Sequence, residues 1–192
     1  MERFDIFPTP IWSVSYLDAE NFRKETVPFL LEYEQKFPMT MEYSINGYTS
    51  YGREVSNILQ FEELSFLKNF VLDSARMASN ELGIEGEHFI TDSWFNINRK
   101  GSYHGMHNHI PDIWSGIYYV QAEENDARIC FYDLNKTSNW PWRPVESNFG
   151  SMKMFAPKTG KLYLFPSYIM HEVEQQTTEN DRISISFNIG VK

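Results

Sequence analysis

Residues 181–190 read DRISISFNIG. Ile183, Ile185, Phe187 and Ile189 alternate with Arg182, Ser184, Ser186 and Asn188, the two-residue period of a β-strand with one apolar and one polar face. The apolar side is expected to pack on helices. The polar side either faces solvent or lines the inside of a barrel. Residues 93–100, SWFNINRK, repeat the pattern, with Asn96 and Asn98 on one side and Phe95 and Ile97 on the other.

Working outward, the chain from residue 89 onward reads as short β-like runs separated by turns. Eight are expected, at 92–99, 104–110, 115–121, 128–133, 152–156, 161–165, 171–176 and 182–190. Two helical stretches precede them. Residues 18–37 carry helix formers, with Asp18 placed to cap the start and Pro28 placed to kink the helix or begin a second one. Residues 61–82 put Leu64, Leu67, Phe70, Val71 and Ala75 at three- and four-residue steps, and Gly83 marks the stop. Residues 4–16 form an extended lead-in in which Pro8 and Pro10 disfavour a central strand, and Asn46-Gly47 suits a tight turn. Eight strands after two helices predict a mainly β protein: a double-stranded β-helix of the jelly-roll, cupin-like kind, with helices packed on one outer face. The expected organisation is one domain over 1–192, helical over 1–88 and a β-helix core over 89–192.

A chain of 192 residues is long enough for a sizeable core, burying roughly 70% of its unfolded surface. With 42% hydrophobic and 16% aromatic residues it belongs to the globular class. The net charge of −9, without a basic stripe, argues against nucleic acid or an anionic membrane as partner. Cys130 is the only cysteine, so no internal disulfide forms; it is expected to be buried core, and a reducing cytoplasm fits. MERFDIFPTPIW lacks the apolar run of a signal peptide, and no segment approaches the ~20 apolar residues of a membrane span.

Three of five histidines fall in residues 101–120, GSYHGMHNHIPDIWSGIYYV. His107 and His109, two apart, would point to one side of a strand. His171, far downstream, is the natural third member. Imidazole suits Fe, Zn, Cu and Ni, and two rings plus a distant third make a plausible facial site with open positions. His104, three residues before His107, is expected to face the other way, as a surface or supporting residue. His88 is expected in an exposed loop. Asp112 is a reserve carboxylate. Arg182 and Ser184 follow His171 by eleven and thirteen residues and share a strand face.

The order H-x-H, H, R-x-S resembles the 2-oxoglutarate/Fe(II)-dependent dioxygenase superfamily, and more closely its putative 2-oxoglutarate-Fe(II) oxygenase branch. The matching motifs are FPTPIW at 7–12, WFNIN at 94–98, HNH at 107–109, SGIYY at 115–119, GKLYLFPS at 160–167, HEV at 171–173 and RISISFN at 182–188. The family's usual ligands are H-x-D or H-x-E plus a distal His. They map onto His107, His109 and His171, with His109 standing where the carboxylate is usual. Three neutral imidazoles give the site one negative charge fewer, so Zn, Ni or Cu also come into question beside Fe(II).

The resemblance implies an enzyme in which 2-oxoglutarate chelates Fe(II), O₂ is activated with decarboxylation to succinate, and a substrate C–H bond is hydroxylated. Arg182 would grip the distal carboxylate of 2-oxoglutarate with a guanidinium fork, aided by Ser184. Asn96, Tyr119 and Asn188 would line the same pocket. A small molecule or a protein side chain is the expected substrate. The stretch 134–150, with Trp140, Trp142 and Arg143, is either a lid over the pocket or an aromatic patch that packs down or meets a second subunit, as in a homodimer. Two other functions fit the histidines: a cupin-type three-His metal dioxygenase or isomerase without 2-oxoglutarate, and a non-catalytic metal- or ligand-binding β-domain.

Overall fold

The computed structural model describes residue 2 and residues 9–38, 46–52, 57–133 and 152–192. The expected Trp loop at 134–150 and the first residues of the FPTPIW motif lie outside the described residues. In chain order the elements are β1 (Trp12–Ser15), α1 (Ala19–Lys36), β2 (Gly47–Thr49), α2 (Ser65–Leu82), β3 (His88–Asn98), β4 (His104–His107), β5 (Trp114–Gln121), β6 (Ile129–Tyr132), β7 (Met152–Phe155), β8 (Lys161–Pro166), β9 (Met170–Val173) and β10 (Arg182–Val191).

The strands make two sheets with antiparallel pairing throughout, one ordered β1-β8-β5-β10-β3-β2 and the other β4-β9-β6-β7. Of the core strands, β3, β5, β8 and β10 lie in the first sheet and β4, β6, β7 and β9 in the second, the winding of a double-stranded β-helix in which β6 and β7 form a hairpin. All eight runs expected from the sequence are present, with β4 and β9 ending earlier than expected. Two further strands come from the segment expected to be helical or lead-in. β1 pairs only with β8, and β2 only with β3, so both sit at edges. Pro10 thus lies before an edge strand, where no ladder bond is lost.

The alternation in β10 decides the layering. Ile183, Ile185, Phe187 and Ile189 are buried with Phe95, Ile97, Tyr118, Leu162 and Leu164 against Phe22, Leu30 and Tyr33 of α1 and Leu67, Val71, Ala75 and Ala78 of α2. The opposite face carries Arg182, Ser184 and Asn188, and these are buried too. The polar face therefore lines the space between the sheets, the second of the two alternatives. A smaller apolar cluster of Ile117, Tyr119, Ile129, Phe131, Tyr163 and Phe165 fills part of that space.

Gly116, in the SGIYY run, lies opposite Phe187 on one side and Leu164 on the other. A Cβ there would come within 2.3 Å of the Phe187 ring and 2.8 Å of the Tyr163 carbonyl oxygen, so only glycine lets the helix-side core close.

The helices depart from expectation in three details. α1 runs unbroken through Pro28, whose ring is exposed, so the carbonyl it leaves unpaired has access to water. Asp18 flanks the start of α1, but its carboxylate accepts from the Asn21 side chain (2.7 Å) and makes no backbone cap. α2 begins at Ser65, after two 3₁₀ turns at Ile58–Gln60 and Glu62–Leu64. Gly83 ends it in the left-handed conformation, φ 70°, as expected.

His88 is not in an exposed loop. It opens β3, is buried, and its Nε2 lies 2.6 Å from Ser79 Oγ, which also accepts from Trp114 Nε1 at 2.8 Å. The histidine is thus part of the contact between α2 and the sheet. Cys130 is buried, as expected, and burial pushes its thiol up to about 11, which makes a reactive thiolate unfavourable.

Candidate metal centre

His107 ends β4 and stands directly opposite His171 in β9. His109 lies two residues beyond the end of β4, held there by a backbone N–H bond to the Ser167 carbonyl oxygen (2.9 Å). The sequence placed His107 and His109 on one continuous strand; the convergence instead comes from the chain turning as it leaves the strand. The three rings have centroids 4.9 Å (His107–His109), 4.4 Å (His107–His171) and 5.1 Å (His109–His171) apart. One ligand nitrogen from each lies within 4.8 Å of the others.

The ring polarity is set by carbonyls. Nδ1 of His107 is 2.7 Å from the Gly105 carbonyl oxygen, and Nδ1 of His171 is 2.9 Å from that of Ile169. A carbonyl only accepts, so both Nδ1 atoms carry the proton and both Nε2 lone pairs are left for a cation. His171 sits against the rings of Phe165 (4.9 Å) and Phe131 (6.0 Å), and His109 against Trp94 (5.5 Å). Burial, helped by the neighbouring His107, pushes His109 down to about 4 and His171 down to about 3. Both are therefore neutral near pH 7, the state that ligates metal. Asp112 does not join the group: its carboxylate accepts from Thr91 Oγ1 at 2.7 Å, and the three-residue cluster is imidazole only.

Arg182 begins β10 on the same inner face and is 0% exposed. Its Nη1 donates to Asn98 Oδ1 (2.8 Å), its Nη2 to the Tyr119 hydroxyl (3.4 Å), and its guanidinium lies 4.9 Å from the Tyr119 ring centre. Its Nε has no partner, and no carboxylate pairs with it among the described residues. A buried cation without a counter-ion is costly, so an anionic ligand is the natural complement.

The ladder between β3 and β10 orders the rest. Arg182 pairs with Asn98, Ser184 with Asn96 and Ser186 with Trp94. Trp94 stands at the level of His109, so Asn96 and Ser184 lie between the imidazoles and the guanidinium. Both are buried, and both keep an unpartnered oxygen, Asn96 Oδ1 and Ser184 Oγ. Asn188 is different. It is six residues from Arg182, roughly 20 Å along an extended strand, and its Oδ1 accepts from Ser115 Oγ at 2.8 Å. It stands in a Ser115–Ser167–Asn188 network toward the other end of β10, where the Ser167 carbonyl oxygen also holds the His109 backbone.

His104 corrects a second expectation. β4 has three residue steps from His104 to His107 where β9 has two from Val173 to His171, a bulge that returns both histidines to the inner side. His104 Nε2 lies 3.3 Å from Asn98 Nδ2, and burial, with the Arg182 charge second, pushes it down to about 4. Asn98 itself was legible only as a strand-face residue; its part in the pocket follows from sharing the face of Asn96. A cavity of about 650 Å³ lies elsewhere, between the start of α1 and the end of β5, lined by Glu20, Arg23, Gln121 and Asp181 among others. None of the three clustered histidines borders it.

Residues 92–188, just over half of the chain, match the family model described as putative 2OG-Fe(II) oxygenase. No curated protein matches the sequence. Among solved structures, a prolyl-4-hydroxylase from Pseudomonas putida is similar at 14% identity, with 96% of this chain and 94% of that one covered and a TM-score of 0.65. HygX from Streptomyces hygroscopicus, solved with nickel, 2-oxoglutarate and hygromycin B, is similar at 12% identity, 96% and 84% coverage and a TM-score of 0.68. A 2OG-Fe(II) oxygenase family oxidoreductase from Burkholderia pseudomallei is similar at 19% identity and a TM-score of 0.52; the aligned part covers 68% of this chain and 57% of that one. These likenesses establish the shared fold. With the family match spanning the inward-facing strands described above, the chain belongs to the putative 2OG-Fe(II) oxygenase family.

Proposed function

We propose that the chain is a 2-oxoglutarate- and Fe(II)-dependent oxygenase of hydroxylase type, with His107, His109 and His171 as metal ligands and Arg182 as the co-substrate's carboxylate partner. The observation that carries this reading is the fully buried Arg182, without an acidic partner among the described residues, on the inner face shared with the three imidazoles. A three-His cupin centre that takes no 2-oxoglutarate leaves that buried charge without a purpose.

The residues fit both groups. Three neutral imidazoles leave a divalent cation uncompensated, and a dianionic keto acid neutralises it. Bound there, Fe(II) and 2-oxoglutarate supply O₂ activation, with decarboxylation to succinate, for hydroxylation of a C–H bond. The chain's own residues do the rest. The Gly105 and Ile169 carbonyls hold two imidazoles in the ligating tautomer. Arg182 receives the distal carboxylate, with the Tyr119 hydroxyl and Ser184 Oγ beside it. The unpartnered Asn96 Oδ1 lies between the two ends. Phe131 and Phe165 keep water from the His171 side. The likeness to HygX and to prolyl hydroxylases supports a small molecule or a peptide side chain as primary substrate.

The test is turnover of the co-substrate. Fe(II)-loaded protein given 2-oxoglutarate and O₂ is expected to form succinate, with or without primary substrate. Protein that holds metal yet consumes neither 2-oxoglutarate nor O₂ contradicts the proposal.

A further inference from the structure

Arg182 is contacted by Asn98 and Tyr119, both neutral, and Asn98 in turn meets His104. The direction of these bonds is fixed by chemistry. A guanidinium only donates, so the Asn98 carboxamide must turn its oxygen to Arg182. Its Nδ2 then faces His104 and donates, which requires an unprotonated Nε2 on His104. The polarity runs one way, from Arg182 through Asn98 to His104.

We infer that Asn98 and His104 are positioning residues that aim the Arg182 guanidinium and keep its charge free for the distal carboxylate of the keto acid. This role rests on Arg182 being the carboxylate partner. Two features of the fold support it. The bulge in β4 turns His104 inward, and the same strand ends in His107. The Asn98 side chain is fully buried, so an amide here, where a carboxylate would neutralise Arg182 internally, leaves the guanidinium in need of an outside anion. The pocket would then favour keto acids with a second carboxylate over those without one, and His104 would contribute to that preference without touching the ligand.

The experiment compares wild type with His104→Phe, His104→Gln, Asn98→Asp and Arg182→Ala, all metal-loaded and anaerobic. 2-Oxoglutarate and pyruvate, which lacks the distal carboxylate, are titrated calorimetrically, and metal content is measured alongside. His104→Phe removes the acceptor and is expected to weaken 2-oxoglutarate about tenfold, with pyruvate affinity and metal content unchanged. His104→Gln restores an acceptor and is expected to bind within about threefold of wild type. Asn98→Asp supplies an internal counter-ion and is expected to weaken 2-oxoglutarate about a hundredfold. Unchanged 2-oxoglutarate affinity in both His104→Phe and Asn98→Asp, with a large loss in Arg182→Ala, overturns the positioning role alone. Equal loss of pyruvate and 2-oxoglutarate in His104→Phe does so as well, because it marks a general structural defect. Unchanged affinity in Arg182→Ala overturns the carboxylate reading itself.

Discussion

His107 and His171 face one another across the β4–β9 ladder, their ring centres 4.4 Å apart. Each donates its Nδ1–H to a backbone carbonyl two residues earlier. Two cross-strand imidazoles with fixed tautomers need a third donor to enclose a cation on one side, and His109 supplies it. Removing the most buried member should therefore cost the whole site. His171→Ala is expected to lower metal affinity about a hundredfold or more, since even supporting residues cost tenfold to a hundredfold. Metal content after dialysis, by elemental analysis, checks this.

Stability of the metal-free protein should fall on mild acidification. His104, His109 and His171 have folded-state values near 4, 4 and 3, well below the ordinary imidazole value. Between about pH 6.5 and pH 4 the unfolded chain therefore binds more protons than the folded one. Their contribution is full above that window and is lost as pH falls through it. Denaturant midpoints of metal-free protein should drop from pH 7.5 to pH 4.5. A flat or rising midpoint contradicts this.

Arg182 should show a trade-off between binding and stability. Its charge is buried without an acidic partner among the described residues, so Arg182→Met removes a desolvated cation and keeps much of the volume. The ligand-free variant is expected to melt at or above the wild-type temperature. Its 2-oxoglutarate binding should weaken by about 2–5 kcal/mol. Thermal unfolding with and without 2-oxoglutarate reads both effects at once.

Ser79 should matter to the fold and not to the site. It lies between Trp114 Nε1 and His88 Nε2, both buried. Ser79→Ala leaves those two groups unpaired and should destabilise by about 1–3 kcal/mol. Metal affinity should stay at the wild-type value. Chemical denaturation and a metal titration separate the two.

Much of the fold and site was legible in residue order, and the exceptions share a cause. The strict alternation in β10 announced an apolar side for helices and a polar side, which the stacking of the two sheets turned inward. The spacing of histidines pointed to the three rings that meet. What residue order hid is whatever depends on an extra or missing step. A bulge in β4 reversed the expected direction of His104, and the turn after His107 carries His109 off the strand. Edge strands β1 and β2 are too short for a periodic signal. His88 was expected in an exposed loop, but its buried side-chain partner, Ser79, comes from α2.

The central claim is that a keto diacid binds between the imidazoles and the guanidinium. Anaerobic calorimetric titration of Fe(II)-loaded protein with 2-oxoglutarate is the most direct measurement. One molecule bound per chain in the wild type, lost in both His171→Ala and Arg182→Ala, is the predicted result. No binding to the wild type, or binding that survives both substitutions, would contradict it.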